Sequence, residues 1–100
     1  MKLLWTQQAL ERLLEIQQYV EGNTSAGVAA KLIKSLIRRA ENLPSFPYMG
    51  RIVPEFYSEN LREIIEGKYR IVYSFQKDTV FILTIFEGHR LFPEKDLLVN

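Results

Sequence analysis

The stretch Leu61–Phe86, LREIIEGKYRIVYSFQKDTVFILTIF, decides the fold of this chain. It contains three segments rich in β-branched and aromatic residues, which are the residue types enriched in strands. The separators between them, EGK at 66–68 and KD at 77–78, are short enough for tight turns. The stretch therefore predicts a meander of three antiparallel strands.

The middle strand of this meander predicts two different faces, because successive side chains point to opposite sides of a sheet. If Ile71 and Tyr73 face a covering layer, Arg70 and Ser74 face the other way. A charged residue in that position favours a half-exposed surface, so we expect one packed face and one open face. The segment RIVPEF at 51–56, which a proline interrupts, suits a further edge strand.

Two amphipathic helices precede the sheet. The first follows a short apolar strand at 2–5, begins after the N-cap residue Thr6 and keeps helical spacing to about Glu21. The second carries apolar residues at three- and four-residue steps over 28–43 and ends before a proline. The short link GNTS at 22–25 predicts an antiparallel helical hairpin whose shared apolar side covers the sheet.

These patterns predict an α+β fold, with an N-terminal strand and an antiparallel two-helix hairpin packed on one face of an antiparallel sheet of three to four strands. At 100 residues, of which 47% are hydrophobic and 25% charged, the chain has the size and composition of one folded domain, residues 1–100. The side chains expected at the helix–sheet interface are Leu32, Ile33, Leu36, Ile71, Tyr73 and Ile82, with Thr84 or its neighbour Leu83.

The composition excludes several classes of function. The chain has no cysteine and a single histidine, so it forms no disulfide or thiolate metal site, and we expect no metal or other cofactor. The net charge of +1 gives no bulk field that would recruit a polyanion. The N-terminus lacks a signal-peptide pattern and no segment reaches membrane-spanning length, so we expect a cytoplasmic protein with no membrane partner.

The last strand ends in a cluster of polar residues. The segment IFEGHRLFP, Ile85–Pro93, places a carboxylate, the only histidine and an arginine within four positions. We interpret this segment as one edge of a candidate functional site.

The order of strand, helical hairpin, PYMGR, meander and GHR resembles the RelE/ParE toxins of bacterial toxin–antitoxin pairs. The segments that carry the resemblance span essentially the whole chain: WTQQALERLLEIQQYV, AENLPSFPYMGRIVPEF, LREIIEGKYRIVYSF and TVFILTIFEGHRLFP. The resemblance implies a growth-arresting toxin whose partner is an antitoxin with a C-terminal segment that folds across it, operator DNA being bound only through that antitoxin. It also implies one of two targets. ParE-like members poison DNA gyrase, while RelE-like members cut messenger RNA on the ribosome.

The same resemblance implies roles for individual residues. Arg70 in YRIVY and Arg90 in GHR match the arginines that hold the scissile phosphate in RelE-like members, and His89 is a candidate acid or base beside them. These three are the candidate catalytic residues. Arg62, Arg70 and Arg90 have a second interpretation, as residues that bind the substrate or the carboxylates of the antitoxin.

Two departures from the RelE pattern favour the ParE branch. RelE-like members carry lysines on the strand before YR, where this chain has LRE at 61–63, and a catalytic tyrosine shortly after the last arginine, where it has EKD at 94–96. A carboxylate at Glu63 repels the phosphate that a lysine attracts. We therefore expect gyrase poisoning in preference to RNA cleavage. A degenerate toxin that only binds its antitoxin is the third alternative.

Overall fold

The computed structural model describes residues 1–97. The elements in chain order are β1 (Lys2–Trp5), α1 (Gln7–Asn23), α2 (Ala26–Glu41), β2 (Arg51–Ile52), β3 (Leu61–Glu66), β4 (Tyr69–Gln76), β5 (Thr79–Glu87) and a short 3₁₀ helix (Glu94–Leu97). The predicted α+β class, with its N-terminal strand and helical hairpin, is confirmed. No helix within the described range is long and apolar enough to cross a lipid bilayer.

The sheet has five strands in the order β1-β5-β4-β3-β2. Strands β2 to β5 are antiparallel, which gives the predicted meander plus one edge strand, and β1 joins the opposite edge parallel to β5. Because β1 has four residues, it pairs with β5 only from Thr79 to Ile82. The outer edge of β5 beyond Ile82 is therefore left for side chains of α1 and of the C-terminal segment.

Both helices begin at the side-chain caps that their sequences favour. The Thr6 hydroxyl accepts a hydrogen bond from the Ala9 amide at 3.1 Å and donates one to the Ile82 carbonyl at 2.9 Å, so this N-cap also ties α1 to β5. Ser25 caps α2 by accepting from the Val28 amide at 3.2 Å. Of the three residues in the link that can cap a helix, Asn23, Thr24 and Ser25, the structure uses the last.

The helical hairpin covers one face of the sheet and forms the main hydrophobic core. Most of the predicted interface is confirmed: Leu36, Ile71, Tyr73 and Ile82 are fully buried there, with Leu32 and Ile33 partly buried against them. The expectation for Thr84 is wrong. The register passes from Val72 opposite Thr84 to Tyr73 opposite Ile82, so Leu83 is an extra residue in β5. This bulge reverses the side-chain alternation, and Ile85 packs in the main core instead.

The opposite face is not open, and this prediction is wrong around Arg70. A second apolar cluster of Val53, Val72 and Phe86 lies there, with Leu61, Phe92 and Leu97 packed against it. The segment that follows β2 and the segment that follows β5 supply the covering residues. Arg70, expected to be half exposed, is only 7% exposed.

Candidate functional site

Arg70 lies at the centre of a network of ion pairs on this second face, in which its pair with Glu63 is buried. Its Nε donates to Glu63 Oε1 at 2.6 Å, and its two terminal nitrogens donate to the Glu55 carboxylate at 3.0 and 3.2 Å. Glu63 also accepts from Arg51 Nε at 2.6 Å. The Glu63 side chain is fully buried and the Arg70 side chain is 9% exposed. Two guanidinium and two carboxylate groups cancel, so the network carries no net charge.

Aromatic rings cover the Arg70 guanidinium as well. Its central carbon lies 5.0 Å from the ring centre of Phe86 and 5.3 Å from that of Phe92. Burial lowers the pKa of Arg70, but the hydrogen bonds to Glu55 and Glu63 outweigh it, so the pKa is raised overall. The bond to Arg70 likewise holds the pKa of Glu55 below its usual value. Arg70 is thus a fixed cation whose donors and ring-facing surface are already engaged.

The network determines the roles of two further charged residues, Glu63 and Arg51. Glu63 was expected to repel a phosphate, but it is buried and neutralised by Arg51 and Arg70, so it does not face a ligand. Arg51, at the start of β2, pairs with Glu63 and so has a structural role here. Gly50 beside it has no room for a side chain, since an added Cβ would lie 2.5 Å from the Glu63 carbonyl oxygen.

His89 and Arg90 lie in the turn that follows β5, and within residues 1–97 neither forms an ion pair or hydrogen bond with this network. The His89 side chain is 76% exposed, with its Nε2 atom 3.3 Å from a carboxylate oxygen of Glu87. Arg90 is exposed, and its backbone amide donates to the Glu87 carbonyl at 3.0 Å. Arg90 lines a cleft that Arg70 does not reach. Of the two arginines of the expected phosphate site, Arg70 is therefore buried and Arg90 is exposed.

The cleft lies between α1 and the outer edge of β5, beyond the end of β1. It has a volume of about 430 Å³, and its lining includes Arg12, Glu15 and Tyr19 from α1 and Ile85, Arg90 and Leu91 from β5 and the segment after it. Tyr19 is 58% and Leu91 96% exposed. The cleft therefore offers apolar surface together with charges of both signs.

Arg62 lies on the helix-covered side of the sheet, opposite Arg70. Its cross-strand partner is Tyr73, a residue of the main core. The Arg62 guanidinium donates to the carbonyl oxygens of Gly50 and Glu59, both at 2.9 Å, and lies 4.9 Å from the ring centre of Tyr48. Arg62 and Arg70 therefore lie on opposite faces of the sheet and do not converge on one ligand position.

Sequence reasoning missed a second polar cluster, around Asp96. Arg12 Nε donates to Asp96 at 2.7 Å and the Thr84 hydroxyl donates to it at 3.0 Å. Burial raises the pKa of this carboxyl, but the bonds from Arg12 and Thr84 lower it further, to below its usual value. The cluster fastens the 3₁₀ helix to both α1 and β5. Its members are distant in sequence and no periodic pattern marks them.

Comparisons with known proteins agree with the fold. The family described as the ParE toxin of the type II toxin–antitoxin system parDE has a model that matches residues 3–92. A chain of the chromosomal ParDE system from P. aeruginosa superposes with a TM-score of 0.75 at 19% identity, covering 87% of this chain and 95% of that one. An isocitrate dehydrogenase kinase/phosphatase from Cupriavidus pinatubonensis is 32% identical in an alignment 57 residues long, which covers 54% of this chain and 9% of that protein. Because the family model covers most of its length, the chain belongs to the ParE toxin family of type II toxin–antitoxin systems.

Proposed function

We propose that this toxin arrests growth by poisoning DNA gyrase and that it does not cleave messenger RNA. The observation that carries the proposal is the state of Arg70. Its guanidinium is bound by two carboxylates, contacts two aromatic rings and is almost fully buried. A residue in that state supports the fold and is not free to bind a substrate.

The chemistry of RNA cleavage explains why this matters. Cleavage without a metal requires cationic donors placed against the phosphorane, whose extra negative charge they stabilise. For Arg70 to reach a phosphate, it would have to leave Glu63 and Glu55. Breaking a buried ion pair costs about 3–5 kcal/mol, because the remaining charge is left uncompensated. That cost works against any role for Arg70 in binding a scissile phosphate.

His89 and Arg90 without Arg70 make an incomplete catalytic set. His89 has Glu87 as its neighbour at 3.3 Å, and the chain has Glu94, Lys95 and Asp96 where RelE-like members carry a tyrosine. General acid–base catalysis of RNA cleavage needs one group to take a proton and another to give one. We therefore assign His89 and Arg90 to a contact surface.

Membership of the family implies an antitoxin partner, and we propose that Arg90 contacts it. Arg90 is exposed beside the apolar surface of Tyr19 and Leu91. An antitoxin segment with carboxylates and apolar side chains suits that combination, because arginine pairs with a carboxylate through two parallel hydrogen bonds. Arg62 and Arg70, whose donors are engaged within the chain, are not included in this contact.

The test measures two activities on one antitoxin-free preparation: inhibition of gyrase supercoiling and ribosome-dependent cleavage of messenger RNA. We expect inhibition of supercoiling without cleavage. RNA cleavage that is lost in His89→Ala, with folding intact, would overturn the proposal in favour of a RelE-type enzyme. Inactivity in both assays, together with antitoxin binding, would instead identify a toxin that has lost its activity.

A further inference from the structure

A basic groove runs along the side of α2 that faces β3. It has a volume of about 330 Å³ and is lined by Lys31, Lys34, Ser35, Arg38, Arg39, Asn42 and Glu66. From this groove and the aromatic loop 45–49 that follows it, we propose that the toxin has a binding surface for single-stranded nucleic acid. This surface goes beyond gyrase poisoning and does not depend on it.

Most of the positive charge of the groove is not paired with a carboxylate. Glu66 is the one acidic residue in its lining, and it is engaged by Arg39 Nε at 3.2 Å and by the Ser35 hydroxyl. Within residues 1–97, Lys31, Lys34 and Arg38 form no ion pair. Positive charge is therefore concentrated in this groove, although the net charge of the chain is only +1.

The spacing of the three cations makes them a continuous stripe. Lys31, Lys34 and Arg38 follow one another at three and four residues along α2, so they lie on one side of the helix. At 1.5 Å per residue the stripe is about 10 Å long. A row of cations on a rigid helix is suited to successive phosphates of a polynucleotide backbone.

Exposed aromatic rings lie at the end of this stripe. Asn42 closes α2, and its carbonyl oxygen accepts from the amides of Ser45 and Phe46, both at 3.3 Å, which turns the chain directly into the loop. Phe46 is 63% and Tyr48 65% exposed. Arg62, whose donors are engaged by backbone carbonyls, lies over the Tyr48 ring. Basic groove and stacking platform are thus adjacent.

This combination favours a single strand over a duplex or an acidic peptide. Single strands present base faces that stack on aromatic side chains, while their backbone follows a basic groove. A duplex holds its bases stacked inside, so Phe46 and Tyr48 would gain little from it. An acidic peptide would pair with the cations only, and its carboxylates would not stack on the exposed rings.

The experiment measures fluorescence anisotropy of a labelled oligothymidylate with the antitoxin-free full chain, over a range of salt concentrations. The triple variant Lys31→Glu/Lys34→Glu/Arg38→Glu should abolish most of the binding. Replacing the three cations by glutamine should make the plot of log K against log salt concentration less steep by about 2, because each phosphate contact contributes about 0.7 to that slope. Phe46→Ala should weaken binding about 5- to 160-fold, the effect of losing one stacked base.

Matched controls make the same change of charge, and remove the same kind of ring, at positions outside the groove. The variant Lys2→Glu/Lys77→Glu/Lys95→Glu carries the same charge change on exposed lysines outside the groove, and Tyr57→Ala removes a ring that is 86% exposed. Both controls should retain most of the binding. Three outcomes would each overturn the proposal. The groove and control triple variants could lose the same amount of binding, or the matching duplex could bind with the same affinity as the single strand. Polyglutamate at equal charge concentration could also displace the strand. Gyrase inhibition measured on the same variants reports separately on the proposed function.

Discussion

At the scale of single residues, the same residue type takes different roles according to what covers it. Arg70 and Arg90 both match one sequence pattern, but one is held by Glu55 and Glu63 under aromatic rings, while the other lies on the surface. A sequence shows which side chains are charged. It does not show which distant carboxylate reaches them, and that decides whether an arginine is free to bind a ligand.

Asp96 offers a residue-scale prediction with a pH dependence. Asp96→Asn should lower the free energy of unfolding by about 1.5–3 kcal/mol near neutral pH, because it removes charged hydrogen bonds from Arg12 and Thr84 at a buried site. The folded-state pKa of Asp96 lies below its ordinary value of 3.8, so its contribution is present above that pH and is lost as the pH falls through the folded-state pKa.

Urea denaturation of both proteins at neutral pH and at a pH below the ordinary carboxyl range measures this difference. The gap between wild type and variant should close at the lower pH. Glu15→Gln is the matched control, since Glu15 also pairs with Arg12 but is 61% exposed, and it should change stability by less than about 1 kcal/mol. A gap that persists unchanged in acid would contradict the role given to the Asp96 charge.

At the scale of elements, the parts with a periodic sequence were predictable and the parts without one were not. The helices and the meander follow apolar spacings of 3.6 and 2, and most of the core follows with them. The bulge at Leu83 has no local signal, so Ile85 could not be placed in the core in preference to Thr84. The segments that cover the second face are aperiodic, which is why the burial of Arg70 was missed.

The packing of α2 on the sheet gives an element-scale prediction. Leu36 is fully buried in the main core, so Leu36→Ala should lower the free energy of unfolding by about 2–5 kcal/mol through lost burial and a residual cavity. Leu14→Ala on α1 is the matched control, because Leu14 is 53% exposed and its removal should cost less than about 1 kcal/mol. Equal denaturation midpoints for the two variants would be incompatible with this layer arrangement.

At the scale of the whole molecule, the two faces of the sheet are stabilised differently. One is covered by helices and holds the main hydrophobic core, while the other combines a small apolar cluster with the network of Arg51, Glu55, Glu63 and Arg70. The two surfaces that we propose for partners are the cleft beside α1 and the groove of α2. Neither is lined by the four residues of the ion-pair network.

The central claim is that Arg70 maintains the fold and takes no part in RNA chemistry, and Arg70→Ala tests it most directly. The measurement is its free energy of unfolding together with gyrase inhibition per folded molecule, at a temperature where the variant is folded. We predict a loss of about 3–5 kcal/mol, because Glu63 is left without one of its two partners, and unchanged inhibition per folded molecule. Unchanged stability together with the loss of a ribosome-dependent RNA cleavage that the wild type performs would contradict the account.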